Sequence, residues 1–303
     1  MNIRFLFSTS LFVLALSSCN SNESGELQDI PEPTPPVETK KEIKISTDVA
    51  TLTRVTDTGF DYSDRCGLYV VNRKGDDRLL TTGNHVDNMR FTYNGTWTPD
   101  TPIFWLDNET HADFYFYYPY QQNITDVAGV NVSVKNDQST EAGYKASEVL
   151  SGVVRDVAPT ETAVKILAVH LMSQVQIVLA AGNGFTEESL KAAQVAVTLN
   201  GVKTAGTLDI ANQTVTAKGE ASSVRPLLAN GVYKALIVPQ TVEECNLITV
   251  NVDGRDFNLP KAFTFEAGKS HKFTVTLSKT SNGINVNISG WETDDVDHGG
   301  IAE

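Results

Sequence analysis

The thiol of Cys19 has the chemistry most sharply set by its neighbours. Behind Arg4, an apolar run from Phe5 leads into Leu16-Ser17-Ser18-Cys19. An apolar core of about a dozen residues behind a basic N-terminus is a secretory signal, too short to span a bilayer. Two small residues followed by a cysteine offer a thiol for diacylglycerol transfer, where an ordinary signal offers a small-x-small cleavage site. Residues 1–18 therefore read as a bacterial lipoprotein signal peptide, and Cys19 as the lipidated N-terminus of the mature chain.

Other groups capable of chemistry are scattered. His85 and Asp87, and likewise His111 and Asp113, stand two residues apart, a spacing that shares one face of a strand. Neither pair has a Gly-x-Ser-x-Gly elbow or a His-Glu-x-x-His helix to work with, so both read as solvent-facing polar pairs. Asp294, Asp295 and Asp297 cluster near the C-terminus without the spacing of a calcium loop, and read as an acidic, mobile tail. Gly182-Asn183-Gly184 lacks the third glycine of a dinucleotide loop. Cys66 and Cys245 lie far apart, each inside a strand pattern; two separate buried thiols fit better than a disulfide, which stays open. No catalytic residue, metal ligand or cofactor follows from these patterns.

The elements carrying these residues are strands. Apolar residues alternate through Ile43-Lys44-Ile45 towards Val49 and Leu52, through Cys66 to Val71, and through Met89 to Tyr93, which turns at Asn94-Gly95 and resumes at Trp97. Phe114, Tyr115, Phe116, Tyr117, Tyr118 and Tyr120 crowd one β-favouring stretch, in which alternation predicts that half the rings are core. Further strands are predicted around Val175–Leu179, Val195–Leu199, Leu208–Ile210, Tyr233–Val238, Leu247–Val252, Phe263–Phe265, Lys272–Leu277 and Ile284–Ile288. Asn200-Gly201 is predicted to be a hairpin turn. One short helix is predicted, capped by Thr186 and continued through Leu190, Ala192 and Ala193.

Composition agrees with an extracytoplasmic β protein on a stalk. Residues 20–41 are mostly polar, with Pro31, Pro33, Pro35 and Pro36, and cannot bury enough apolar area to fold. A formal net charge of −13 argues against nucleic acid and anionic lipid as partners, since both require a basic surface. The division predicted is a signal peptide at 1–18, a tether at 19–41, β-sandwiches at 42–162 and 163–291, and an acidic tail at 292–303. The boundary between the sandwiches falls near Ala158-Pro159-Thr160.

Five motifs, in order along the chain, carry a family resemblance. They are Phe60-Asp61-Tyr62-Ser63-Asp64-Arg65-Cys66-Gly67-Leu68-Tyr69; Pro102-Ile103-Phe104-Trp105 with Asp113 to Tyr120; His170-Leu171-Met172-Ser173-Gln174-Val175; Ile237-Val238-Pro239-Gln240; and Phe265-Glu266-Ala267-Gly268-Lys269 with Trp291. Together they resemble the fimbrillin-like lipoproteins of Bacteroidota, the subunits of type V pili. The resemblance implies two tandem transthyretin-like β-sandwiches, with a short helix in the second, in a structural or adhesive fimbrial subunit of the outer membrane. It also implies that a protease removes the N-terminal strand after an arginine, here Arg54, and that a neighbouring subunit's strand takes its place. Beyond Trp291 the tail has only Val296 and Ile301 as larger apolar residues, short of the alternation a donor strand needs, so shaft, tip and anchor positions all remain open. The alternative is a surface-anchored glycan- or host-ligand-binding lipoprotein that never polymerises.

Overall fold

Strands dominate the described residues, which are 40–50, 59–279 and 300–302 of a computed structural model. The first half comprises β1 (Ile45–Val49), β2 (Arg65–Asn72), β3 (Val86–Tyr93), β4 (Trp97–Pro99), β5 (Ala112–Tyr118), β6 (Val130–Ser133), α1 (Glu141–Lys145), β7 (Leu150–Val157) and β8 (Val164–His170). The second comprises β9 (Ser173–Ala181), α2 (Glu187–Ala192), β10 (Val195–Asp209), β11 (Thr214–Val224), β12 (Leu227–Ala229), β13 (Val232–Ile237), β14 (Gln240–Val252), β15 (Arg255–Phe265), β16 (Ser270–Leu277) and β17 (Gly300–Ala302). This is the all-β, sandwich-like architecture that the alternation predicts.

A seven-stranded sheet is ordered β1-β8-β7-β5-β2-β3-β4. Only β1 enters it parallel to its neighbour, with Ile45 opposite Val164 and Val49 opposite Ala168. The sheet curls until its two end strands meet, Trp97 Nε1 donating to Thr47 Oγ1 at 2.9 Å. Inside the curl lie Ile43, Ile45, Leu68, Val70, Phe91, Trp105, Phe114, Phe116 and Ile166. Two further sheets, β11-β10-β14-β15 (with β6 on β10) and β12-β13-β9-β16-β17, enclose a second core that includes Val175, Ile177, Leu199, Val250, Phe257 and Phe273.

A third cluster joins the halves. Tyr69, Tyr115 and Tyr117, on the outer face of the seven-stranded sheet, pack with Val130, Val132, Leu171, Met172, Leu208, Leu236 and Val238. Both faces of β5 are therefore buried, with Phe114, Tyr115, Phe116 and Tyr117 each at most 1% exposed. Alternation predicted a core half and an open half; the second sandwich covers the half expected to be open. Gly67 on β2 makes room for this layer, because a Cβ there would overlap the Tyr117 ring.

Other expectations are corrected by long-range pairing. Val164–His170, placed by the sequence in the second half, pairs with β7 and β1 in the first sheet. Asn200-Gly201 is not a hairpin turn: β10 runs through it, with a register irregularity against β11 and Gly201 at φ +72°. A glycine in the left-handed region allows such a bulge, and Asn200 Nδ2 ties it to β14 by donating to the Asn246 carbonyl and to Thr249 Oγ1. The helix capped by Thr186 forms as α2, with a reciprocal Ser189 capping box. A second helix, α1, was missed, since one turn containing Gly143 carries no periodic signal. Within the tail expected to be free, Gly300–Ala302 pairs parallel to β16 as β17. Ile284–Ile288 and Trp291 lie outside the described residues.

Candidate functional site

The seam between β8 and β4, which β1 closes, is the feature most clearly built for an occupant. Ile43 and Ile45 alternate with exposed Lys44 and are buried in the first core. Burying each contributes about 1.5–3 kcal/mol. The strand is bonded on two sides. Ile43 N–H donates to the Ile103 carbonyl at 2.8 Å and Trp105 N–H to the Lys41 carbonyl at 2.9 Å. From Lys44 onward it switches to β8, with Val164 N–H donating to the Lys44 carbonyl and Ala50 N–H to the Ala168 carbonyl, both at 2.8 Å. A groove of about 470 Å³ runs beside it, lined by Ile43, Ile45, Thr47, Trp97, Pro99 and Ala163 among others. Such a seam can hold a strand by main-chain bonds and recognise its alternate side chains.

A second cleft of about 550 Å³ opens among Asp61, Asp64, Tyr118, Lys145, Glu148 and His170. Lys145 pairs with Asp61, and His170 Nδ1 lies 3.1 Å from Glu148 Oε2. Burial raises the Asp64 carboxyl above its ordinary range, partly opposed by the Tyr118 hydroxyl that donates to it at 3.2 Å. Mixed charge of this kind suits a polar ligand more than covalent chemistry.

The histidine pairs proposed from spacing do not act as pairs. His85 Nε2 lies 2.7 Å from the Phe104 carbonyl oxygen, while Asp87 accepts from the Gly83 and Asn84 backbone N–H groups. His111 Nδ1 lies 3.0 Å from Asp156 Oδ1. Asp113, expected to face solvent, is fully buried. Arg73 Nη1 donates to its two oxygens at 2.9 and 3.2 Å, Arg155 Nη1 donates at 3.2 Å, and Asp156 N–H donates at 2.7 Å. Those donors replace the hydration that burial removes. Arg73 and Arg155 lie 40 and 42 residues away in sequence, so no local signal announced the network.

Cys66 and Cys245 are free thiols; Cys66 is buried and Cys245, expected to be buried too, is partly exposed. Burial raises the Cys66 thiol well above its ordinary value. Among the described residues, no three His, Cys, Asp or Glu side chains are grouped to hold a metal ion. Cys19 and Arg54 lie outside the described residues.

Residues 53–291 match the fimbrillin-like family model. A candidate fimbrium subunit of Bacteroides uniformis, Fim1C, is 24% identical over 310 residues, covering 96% of either chain. The crystal structure of a candidate cell-adhesion protein from Bacteroides uniformis superposes with a TM-score of 0.61 at 19% identity, covering 81% of this chain and 95% of its own. A second such protein, from Bacteroides ovatus, gives a TM-score of 0.61 at 17% identity, covering 77% and 90%. At these identities the structural likeness speaks for the fold alone.

Proposed function

The chain belongs to the fimbrillin-like family, and on that premise we propose that it is a fimbrial subunit anchored in the outer membrane through lipidated Cys19 and released for assembly by cleavage after Arg54. The observation that carries this reading is the place of β1. It is an end strand, the one parallel member of its sheet, and it fills the seam of a curled core. Before cleavage it covers the edge of β8 and keeps the core from recruiting another chain. Its loss would leave the cavity of Ile43 and Ile45 open and the Ile103 and Ala168 pairing positions unmatched. A neighbouring subunit's strand would restore ladder bonds worth about 1 kcal/mol each, net. It would also restore about 1.5–3 kcal/mol for each branched side chain it buries.

The test is N-terminal sequencing of protein sheared from cells, with wild type and Arg54→Ala side by side. A mature N-terminus at Val55 that disappears in the variant, together with detergent-resistant ladders, is the expected result. Ladders that form equally well in Arg54→Ala refute cleavage at that residue. A persistent monomer in wild type favours the second reading, a surface-anchored binding protein, for which the 550 Å³ cleft is the candidate ligand site.

A further inference from the structure

The seam distinguishes its strands by more than apolar alternation. Along the resident strand the inward positions are Ile43, Ile45, Thr47 and Val49, and the third of them carries a hydroxyl. Thr47 Oγ1 accepts the indole N–H of Trp97 at 2.9 Å. Trp97 is 7% exposed. Its ring is held by Phe60, Tyr93 and Phe116, with centroids 4.9, 5.2 and 5.9 Å away. An indole N–H can only donate. Packed in this way the ring keeps its orientation, so a strand with an aliphatic residue opposite it would leave the indole N–H without its protein partner, dependent on water admitted by the adjoining groove. Leaving such a donor without its partner costs at least as much as an ordinary hydrogen bond contributes net.

Resting on the strand-exchange reading, we propose that Trp97 selects the strand that replaces β1. The occupant is a segment of another subunit presenting two branched apolar residues at alternate positions. The next inward position must then carry a threonine or serine hydroxyl, and the one after it an apolar residue. Valine matches threonine in shape and suits a strand equally well, so shape alone does not separate the two. The hydroxyl does.

The test uses the full-length chain with a site for a specific protease placed in residues 51–58. After cleavage it is incubated with excess labelled peptide of the Lys40–Ala50 sequence carrying Thr, Ser or Val at position 47. Incorporation is read by native mass spectrometry. The Thr and Ser peptides should displace the resident strand, with the Val peptide roughly tenfold weaker, as expected for one part-buried donor deprived of its partner. In Trp97→Phe protein the three peptides should incorporate equally. Equal incorporation of Thr and Val peptides into wild type overturns selection by Trp97 and leaves strand exchange standing. Failure of every peptide to enter wild type overturns strand exchange, and the selector with it. If Trp97→Phe does not fold, hydrogen exchange of the Trp97 indole in the intact Thr47→Val chain replaces it. Faster exchange than wild type supports the selector, and unchanged protection overturns it.

Discussion

Asp113 shows how a single buried carboxylate can tie strands of a sheet together. Its carboxylate sits at the start of β5 and collects Arg73 from beyond β2, Arg155 from β7 and a backbone N–H from Asp156. Removing one partner of a buried pair leaves the others unpaired, and that loss exceeds what the pair contributes net. Because the Arg73 and Arg155 side chains are 35% and 51% exposed, water recovers part of the penalty. Asp113→Ala should therefore cost about 3 kcal/mol, at the lower end for a buried pair. Asp113→Asn, which keeps an acceptor for the Asp156 N–H, should cost less. Urea denaturation of the two variants checks both values, and an Ala variant as stable as wild type would show that the arginines are fully rehydrated.

At the scale of elements, β2 and β5 place their tyrosines where burial disfavours ionisation in the folded state. Tyr69 is pushed up from 10 to about 12, chiefly by burial and secondarily by Asp87 and Tyr120. Burial also raises Tyr117 and Tyr118. A raised phenol favours the folded state while both states are neutral. That advantage is complete below about pH 10 and is lost as pH rises to about 12, because the unfolded chain gives up its proton first. Stability should fall across this window, with phenolate absorbance of these residues appearing together with unfolding. Tyr69→Phe should make the decline shallower. A phenolate signal that saturates well before unfolding would contradict the burial of this layer.

At the scale of the whole molecule, the shared tyrosine layer ties the two sandwiches together, and the described residues from Lys40 on fall in one compact unit. Unfolding either half would expose the layer that covers the other. Urea transitions of a Trp291→Phe variant followed by tryptophan fluorescence, which then samples only Trp97 and Trp105 in the first core, and by far-ultraviolet circular dichroism, which samples all strands, should coincide. Two separated transitions would show that the halves fold independently. A fragment ending at residue 162 should aggregate, because it leaves out β8 and exposes the edges of β1 and β7.

The β class, the crowded aromatic strand, the Asn94-Gly95 hairpin and the Thr186 cap were all legible in the sequence, because each depends on residues within a few positions of one another. Period-two alternation says which side chains share a face. It does not say which strand lies alongside or what covers that face. Tertiary pairing alone therefore decided that β8 joins the first sheet, that β5 is buried on both sides, and that Asn200-Gly201 bulges where a turn was predicted. It also buried Asp113 between arginines distant in sequence, and set Thr47 against Trp97 across 50 residues of chain. Contacts of that separation arise when a curled sheet brings its ends together, and nothing in the local pattern of either strand encodes the meeting.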